Sequence, residues 1–272
     1  MAYEFKTGMM YRMPTHFGPS LGPRQGPDGR KFTCKDNPKT TSISVSFRSN
    51  AEQLSALLPP GFSLDGDPIV TVFASFFTEI EWLAGRGYNV LGVTIPAIFT
   101  GAETARGPFL TVLWENLADP IITGREDIGY AKIYCEIPEP RVCNGTAACS
   151  AGWLGFNFLD FAVSDLTEDT SAAPSPSVDG MLHYKYVPKT GVWGEADIEY
   201  PVITPSTGSN ERVLEKWKGT GSMAWRAARW EDLPTFYPVV NAFADLEIGE
   251  NVSASMVKSI GSKDLSDQRI LR

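Results

Sequence analysis

Histidine is scarce in this chain: His16 and His183 are the only two in 272 residues, and neither an H-E-x-x-H pair nor a carboxylate cluster accompanies them. No recognisable ligand set for a catalytic metal remains. Cysteine is sparse as well. Cys34, Cys135, Cys143 and Cys149 form no C-x-x-C pair and read as free thiols. No apolar run reaches the roughly 18–20 residues of a spanning helix; the longest, Val90 to Thr100, is broken by Gly92 and Pro96. The opening MAYEFKTGMMYRMPTHFGP lacks the apolar core of a secretory signal, so the expected location is cytoplasmic, with no membrane partner. Basic runs are missing too: 24 Lys and Arg face 32 Asp and Glu, a net charge of −8, which argues against nucleic acid as a partner. There is no G-x-S-x-G elbow for a hydrolase nucleophile. Gly85-Arg86-Gly87 with Gly92 misses the dinucleotide spacing, and no cofactor is expected.

What is present is a composition close to that of ordinary globular proteins, 43% hydrophobic and 21% charged. Residues 1–35 are rich in Gly and Pro (FGPSLGPRQGPDGR) and read as an extended arm, and residues 36–272 read as a single domain. From Thr41 to Arg48, Ile43, Val45 and Phe47 alternate with Ser42, Ser44 and Ser46, the pattern of a half-buried strand. A helix follows, capped by Ser49 or Asn50, carrying Leu54, Leu57 and Leu58 and stopped by Pro59-Pro60. Strand-like text then dominates: IVTVFASFFTEIEW, YNVLGVTIPAIF, FLTVLWEN, GYAKIYCEI, MLHYKYVP, ADIEYPVI and GSMAWRAARW. Residues 166–180 read as a low-complexity surface loop, and short helices are expected over Ser209–Trp217 and Pro234–Phe243. Many strands with few marginal helices predict an α+β protein, mainly antiparallel β, whose sheet closes or stacks on itself.

The informative segment is WENLADPIITGREDIGYAKIYCEIP, from Trp114 to Pro138. Strand alternation places Tyr130, Lys132, Tyr134 and Glu136 on one face and Ala131, Ile133, Cys135 and Ile137 on the other. A lysine amid such apolar text is either solvated on an amphipathic strand or buried. If buried, it loses its charge readily, because desolvation lowers an amine's pKa and the neutral amine attacks carbonyls.

Gly124-Arg125-Glu126, with a lysine six residues after the glutamate and an aromatic two before that lysine, resembles the acetoacetate decarboxylase family. Glu115-Asn116-Leu117-Ala118-Asp119-Pro120 echoes the family's upstream text, and FRSNAEQLSALLPPGF, MLHYKYVPKTGVWGEADIEY and ARWEDLPTFYPVVNAFADLEI agree in order and spacing over about residues 40 to 258. The resemblance implies a conical double β-barrel, a homo-oligomer and a lysine, Lys132, that forms a Schiff base with an oxo acid and carries out decarboxylation or related enamine chemistry. It also exposes departures. The family's second lysine is Ile133 here, two of its glutamates fall on Val90 and Phe73, and its early arginine falls near Thr40. These changes point away from acetoacetate itself and toward a less polar, small or polyketide-like oxo acid of secondary metabolism. The alternatives are an aldolase-dehydratase acting on pyruvate-like acids, or a binding protein that keeps the pocket without turnover.

The other candidate residues follow from that setting. Glu115 alternates with Phe109, Thr111 and Leu113 and can enter the same cavity as Lys132 to move protons. Glu126 is either catalytic or a structural partner of Arg125. Tyr130 is expected to line the pocket. Arg24 and His16 lie on the arm, which can close over the pocket so that a guanidinium holds the substrate carboxylate. His183 reads as a structural residue on its strand.

Overall fold

The computed structural model describes residues 4–171 and 178–272, so the centre of the expected 166–180 loop lies outside the described residues. The strands are β1 (Lys39–Arg48), β2 (Phe62–Leu64), β3 (Ile69–Ile80), β4 (Arg86–Thr100), β5 (Thr104–Glu115), β6 (Lys132–Tyr134) and β7 (Arg141–Cys143). They continue as β8 (Thr146–Trp153), β9 (Phe156–Glu168), β10 (Gly180–Pro188), β11 (Ala196–Pro205), β12 (Arg212–Trp225), β13 (Asn251–Ile260) and β14 (Arg269–Ile270). The α-helices among the described residues are short: α1 (Ala51–Ser55), α2 (Ala118–Thr123) and α3 (Tyr237–Ala244), with a π-helical turn at Gly124–Ile128 directly after α2.

These strands form one sheet in the order β14-β11-β10-β5-β4-β3-β1-β13-β12-β9-β8-β7, with β2 added to β4 and β6 to β5. Pairing is antiparallel except where β10 and β6 meet β5. The mainly antiparallel architecture with marginal helices is therefore the one observed, along a hydrogen-bonded path whose ends, β14 and β7, remain unjoined.

β1 shows how the sequence builds its elements. Ile43, Val45 and Phe47 enter the main core, as their alternation requires. The serines on the other face are not simply solvated. Ser42 pairs with Ser75, Ser44 with Ser255 and Ser46 with Thr71, hydroxyl to hydroxyl, at 2.8, 3.0 and 2.8 Å. Asn50 caps α1 by accepting from the Glu52 and Gln53 amides. Trp114 fixes the centre of the core, its ring 5.6 Å from Phe158, 6.1 Å from Trp225 and 6.0 Å from Phe243.

Two local expectations fail for tertiary reasons. The helix expected at Ser209–Trp217 is instead the start of β12, held between β13 and β9 with Trp217 opposite Met256 and Glu168. Ladder pairing on both sides overrides the helical spacing of Val213, Leu214 and Trp217. The even alternation along β5 is also interrupted: Val93 faces Val112 while Thr94 faces Leu110, so Thr111 is the extra residue of a bulge. Phe109 therefore joins a cluster with Leu182 and Ile203, while Leu110 and Leu113 share the cluster around Tyr130.

Candidate active site

The chain leaves β5 at Glu115, passes through α2 and the π-helical turn, and returns as β6 parallel to β5, with Lys132 beside Leu113 and Tyr134 beside Glu115. Ile133, next to Trp114, enters the main core, so Lys132 is turned the other way, together with Glu115. Lys132 Nζ lies 2.7 Å from Glu115 Oε1, with side chains only 8% and 1% exposed. Nζ also donates to the Pro120 carbonyl at 3.0 Å, and the Glu115 oxygens accept no other hydrogen bond.

The Gly-Arg-Glu segment builds the seat for this lysine. A Cβ on Gly124 would fall 2.3 Å from both Cδ and Cε of Lys132, so only glycine lets the side chain lie across this turn. Arg125 Nη1 donates to the Lys132 carbonyl at 2.8 Å. Gly129, at φ +78°, reverses the chain ahead of Tyr130. The Tyr130 ring lies with its centroid 5.6 Å from Lys132 Nζ, and its hydroxyl meets Thr204 Oγ1 at 2.7 Å. Behind it stands His183, ring centroid 4.4 Å away, contacting the Gly129 carbonyl at 3.2 Å and Thr204 Oγ1 at 3.3 Å.

Burial dominates the electrostatics. It lowers the Lys132 pKa against the opposing pull of Glu115, while the Arg24 charge adds to the lowering. Burial likewise raises the Glu115 pKa, against the pull of Lys132. Both displacements favour the neutral partners, so the pair can share a single proton. Burial pushes Tyr130 up to about 12 and His183 down to about 4, leaving a neutral imidazole.

Lys132 opens onto a cavity of about 310 Å³ whose apolar lining includes Phe32, Phe77, Tyr88, Ile128 and Leu265. Arg24, from the N-terminal arm, lies in the same lining, only 7% exposed, and its Nη2 donates to Asp127 Oδ2 at 2.8 Å. Glu115 and Tyr130 touch the lysine from behind and are not part of the cavity wall, contrary to their expected place there. Glu126 is not brought to the site: its side chain is exposed, and its carbonyl accepts from Lys185 Nζ at 2.6 Å. His16 is also away from it, exposed in a 3₁₀ turn with its ring beside Phe17. Sequence reading had Gly124 only as part of the motif, with no role of its own, and missed Tyr88 and Asp127 as site residues. Asp127 directly follows Gly-Arg-Glu, but no pattern links it to an arginine 103 residues earlier.

Three of the four departures noted in the sequence are filled by apolar packing. Ile133 lies in the main core, Val90 is buried opposite Glu115, and Phe73 packs on the cluster of Leu110, Ile128 and Tyr130. Thr40 is buried on β1 opposite Phe77.

Fold and geometry together define a class: a mainly antiparallel sheet protein that presents the buried Lys132 amine to a largely apolar cavity, with a carboxylate behind it and a guanidinium at its wall. The chain belongs to the acetoacetate decarboxylase family, whose model matches residues 12–265. Solved structures share the fold. An acetoacetate decarboxylase-like enzyme from Sphingomonas wittichii RW1 matches with TM-score 0.61 and 20% identity over 91% of this chain and 97% of that one. An acetoacetate decarboxylase matches with TM-score 0.66 and 18% identity over 86% and 89%. The enduracididine biosynthesis enzyme MppR, complexed with the condensation product of pyruvate and imidazole 4-carboxaldehyde, matches with TM-score 0.65 and 16% identity over 97% of both chains. No curated protein matches in sequence. Among the described residues no helix is long and apolar enough to cross a membrane, and no three His, Cys, Asp or Glu gather where they could hold a metal.

Proposed function

We propose that the protein is a Schiff-base lyase acting on an oxo acid larger and less polar than acetoacetate. The observation that carries this reading is the buried Lys132–Glu115 pair at 2.7 Å, opening on an apolar cavity with Arg24 in its wall. Neutral Lys132 attacks the substrate carbonyl carbon, and the resulting carbinolamine loses its hydroxyl as water with a proton from Glu115. For a β-oxo acid, the bond to the carboxylate then breaks and its electron pair moves into the iminium, giving carbon dioxide and an enamine. Protonation at carbon and hydrolysis release the ketone and return the amine. Arg24 holds the carboxylate of the incoming acid.

A second reading, aldol condensation and dehydration of a pyruvate-like acid, uses the same iminium and enamine. The likeness to MppR, bound to a condensation product of pyruvate, favours keeping it in view. Both readings require covalent capture, and a pure binding protein does not. Incubation with acetoacetate or pyruvate followed by borohydride should leave a mass adduct on the Lys132 peptide and none on Lys132→Ala protein. Labelling of another lysine, or equal labelling of that variant, excludes the assignment. Carbon dioxide release against condensation with an added aldehyde then separates the two chemistries.

A further inference from the structure

Two arginines of the N-terminal arm converge on one carboxylate of the turn that seats Lys132. Asp127 Oδ2 accepts from Arg12 Nη2 at 2.6 Å and from Arg24 Nη2 at 2.8 Å, while Oδ1 accepts from Arg12 Nε at 3.4 Å. The three side chains are 11%, 7% and 10% exposed for Arg12, Arg24 and Asp127. Two cations thus share one anion in an enclosed place, and the cavity wall beyond them carries Glu81, Lys263 and Asp264. Arg24 Nε is buried and has no acceptor at all. A buried donor on a charged group is costly to leave unmade, and Arg24 shares its cavity with Lys132. The unmade Arg24 donor points to an acceptor on the ligand, such as a carboxylate.

Asp127 sits in the π-helical turn Gly124–Ile128, the segment whose Gly124 and Arg125 hold Lys132. The end of the arm is tied to the body, where the Thr33, Cys34 and Lys35 carbonyls accept from Asn210, Ser262 and Arg212; ahead of it, Arg12 and Arg24 reach the body through Asp127. Between residues 5 and 38 its one helical or strand element is the three-residue turn Thr15–Phe17, supported by Gln25, which accepts from the Met10 amide and donates to the Ser20 carbonyl. We propose that Asp127 and Arg12 are positioning residues that set Arg24 against the Lys132 cavity, making the arm the removable wall of the site and Asp127 its latch. This rests on the Lys132 reading and extends it. The latch brings a cation to the cavity onto which the amine opens, on the face away from Ile133. That cation adds to burial in lowering the Lys132 pKa. Without Asp127, two neighbouring guanidinium groups lose their shared counter-charge and the arm opens.

The test uses the full chain with borohydride trapping of acetoacetate and of 2-pentanone, a ketone of similar length with no carboxylate. Asp127→Asn should raise the half-saturating acetoacetate concentration about tenfold, the scale of one charge-assisted hydrogen bond. Trapping of 2-pentanone at a pH where the amine is neutral should keep its concentration dependence. The pH midpoint of trapping should move upward, trypsin should cut after Arg24 sooner, and Asp127→Glu should restore all three. Unchanged acetoacetate saturation and pH midpoint, or tighter binding, would overturn the latch while leaving labelled Lys132 intact. Absence of label in the natural protein instead overturns the underlying reading. Should Asp127→Asn fail to fold, Arg12→Gln carries the same expectations and the same refutation.

Discussion

Gly124 illustrates what a single hydrogen atom does in this site. Its backbone lies in the ordinary helical region, φ −66° and ψ −40°, so the glycine is not required by the chain path. It is required by Lys132, whose Cδ and Cε occupy the space where a Cβ would stand. Gly124→Ala should therefore leave the fold within about 1 kcal/mol of its original stability, since alanine suits a helical backbone. It should nonetheless slow borohydride trapping by about a hundredfold, the usual consequence of a reacting group displaced by an ångström. Thermal unfolding and trapping rates measured on the same preparation check both halves. Glu115 makes a prediction of the opposite kind. Its charge opposes the lowering of the Lys132 pKa, so Glu115→Gln leaves burial unopposed and should move the pH midpoint of trapping downward. Turnover should still fall, because the proton donor to the carbinolamine is lost. An upward shift in the midpoint would show that the Glu115 charge does not hold the amine pKa up.

At the scale of elements, β10 and β11 act as a platform for the turn before Lys132. His183 on β10 and Thr204 on β11 hold the Gly129 carbonyl and the Tyr130 hydroxyl, and the tyrosine ring faces the lysine. His183 is fully buried, and burial lowers its pKa from 6.5 to about 4. In the unfolded chain the ring takes up a proton near pH 6.5, whereas in the folded chain it resists until about pH 4. The unfolded state thus binds more protons within that window, and stability falls as pH drops through it. The loss should reach on the order of 3 kcal/mol by pH 4. Denaturant unfolding of natural and His183→Gln protein at pH 7 and pH 5 checks this. The variant should be less stable at pH 7 but lose less between the two values.

Over the whole molecule, the arm, the π-helical turn, the loop after β13 and strands β3 and β4 together enclose the cavity, which no single segment could do. On the proposed reading, Phe32, Phe77, Tyr88, Ile128 and Leu265 in its lining favour substrates that carry added methylenes. Each methylene that reaches the lining contributes about 0.8 kcal/mol, roughly fourfold in kcat/KM. A β-oxo acid with three or four added methylenes should therefore exceed acetoacetate by about a hundredfold in kcat/KM on that scale. Carbon dioxide release from a homologous series would measure the slope, and a flat or falling series would remove the apolar cavity as the specificity determinant.

By itself, the sequence determined the elements whose patterns are local. The alternation of β1, the Asn50 cap before α1, the strand text and the Gly-Arg-Glu spacing that isolates Lys132 all depend on neighbours within a few residues. Burial energetics also made Lys132 chemically conspicuous before any contact was known, because an amine amid apolar text must be solvated, paired or neutral. Tertiary structure decided the rest. The β12 ladder overrode a helical spacing, and an inserted Thr111 changed which β5 residues share a face with Glu115. Glu126 was a candidate from the motif and Arg24 from the arm; folding left the first in solvent and enclosed the second. The partnership of Arg12 and Arg24 with Asp127 spans more than a hundred residues. No local periodicity records such a contact, because charge attracts through space and its partners are chosen only when the chain has closed.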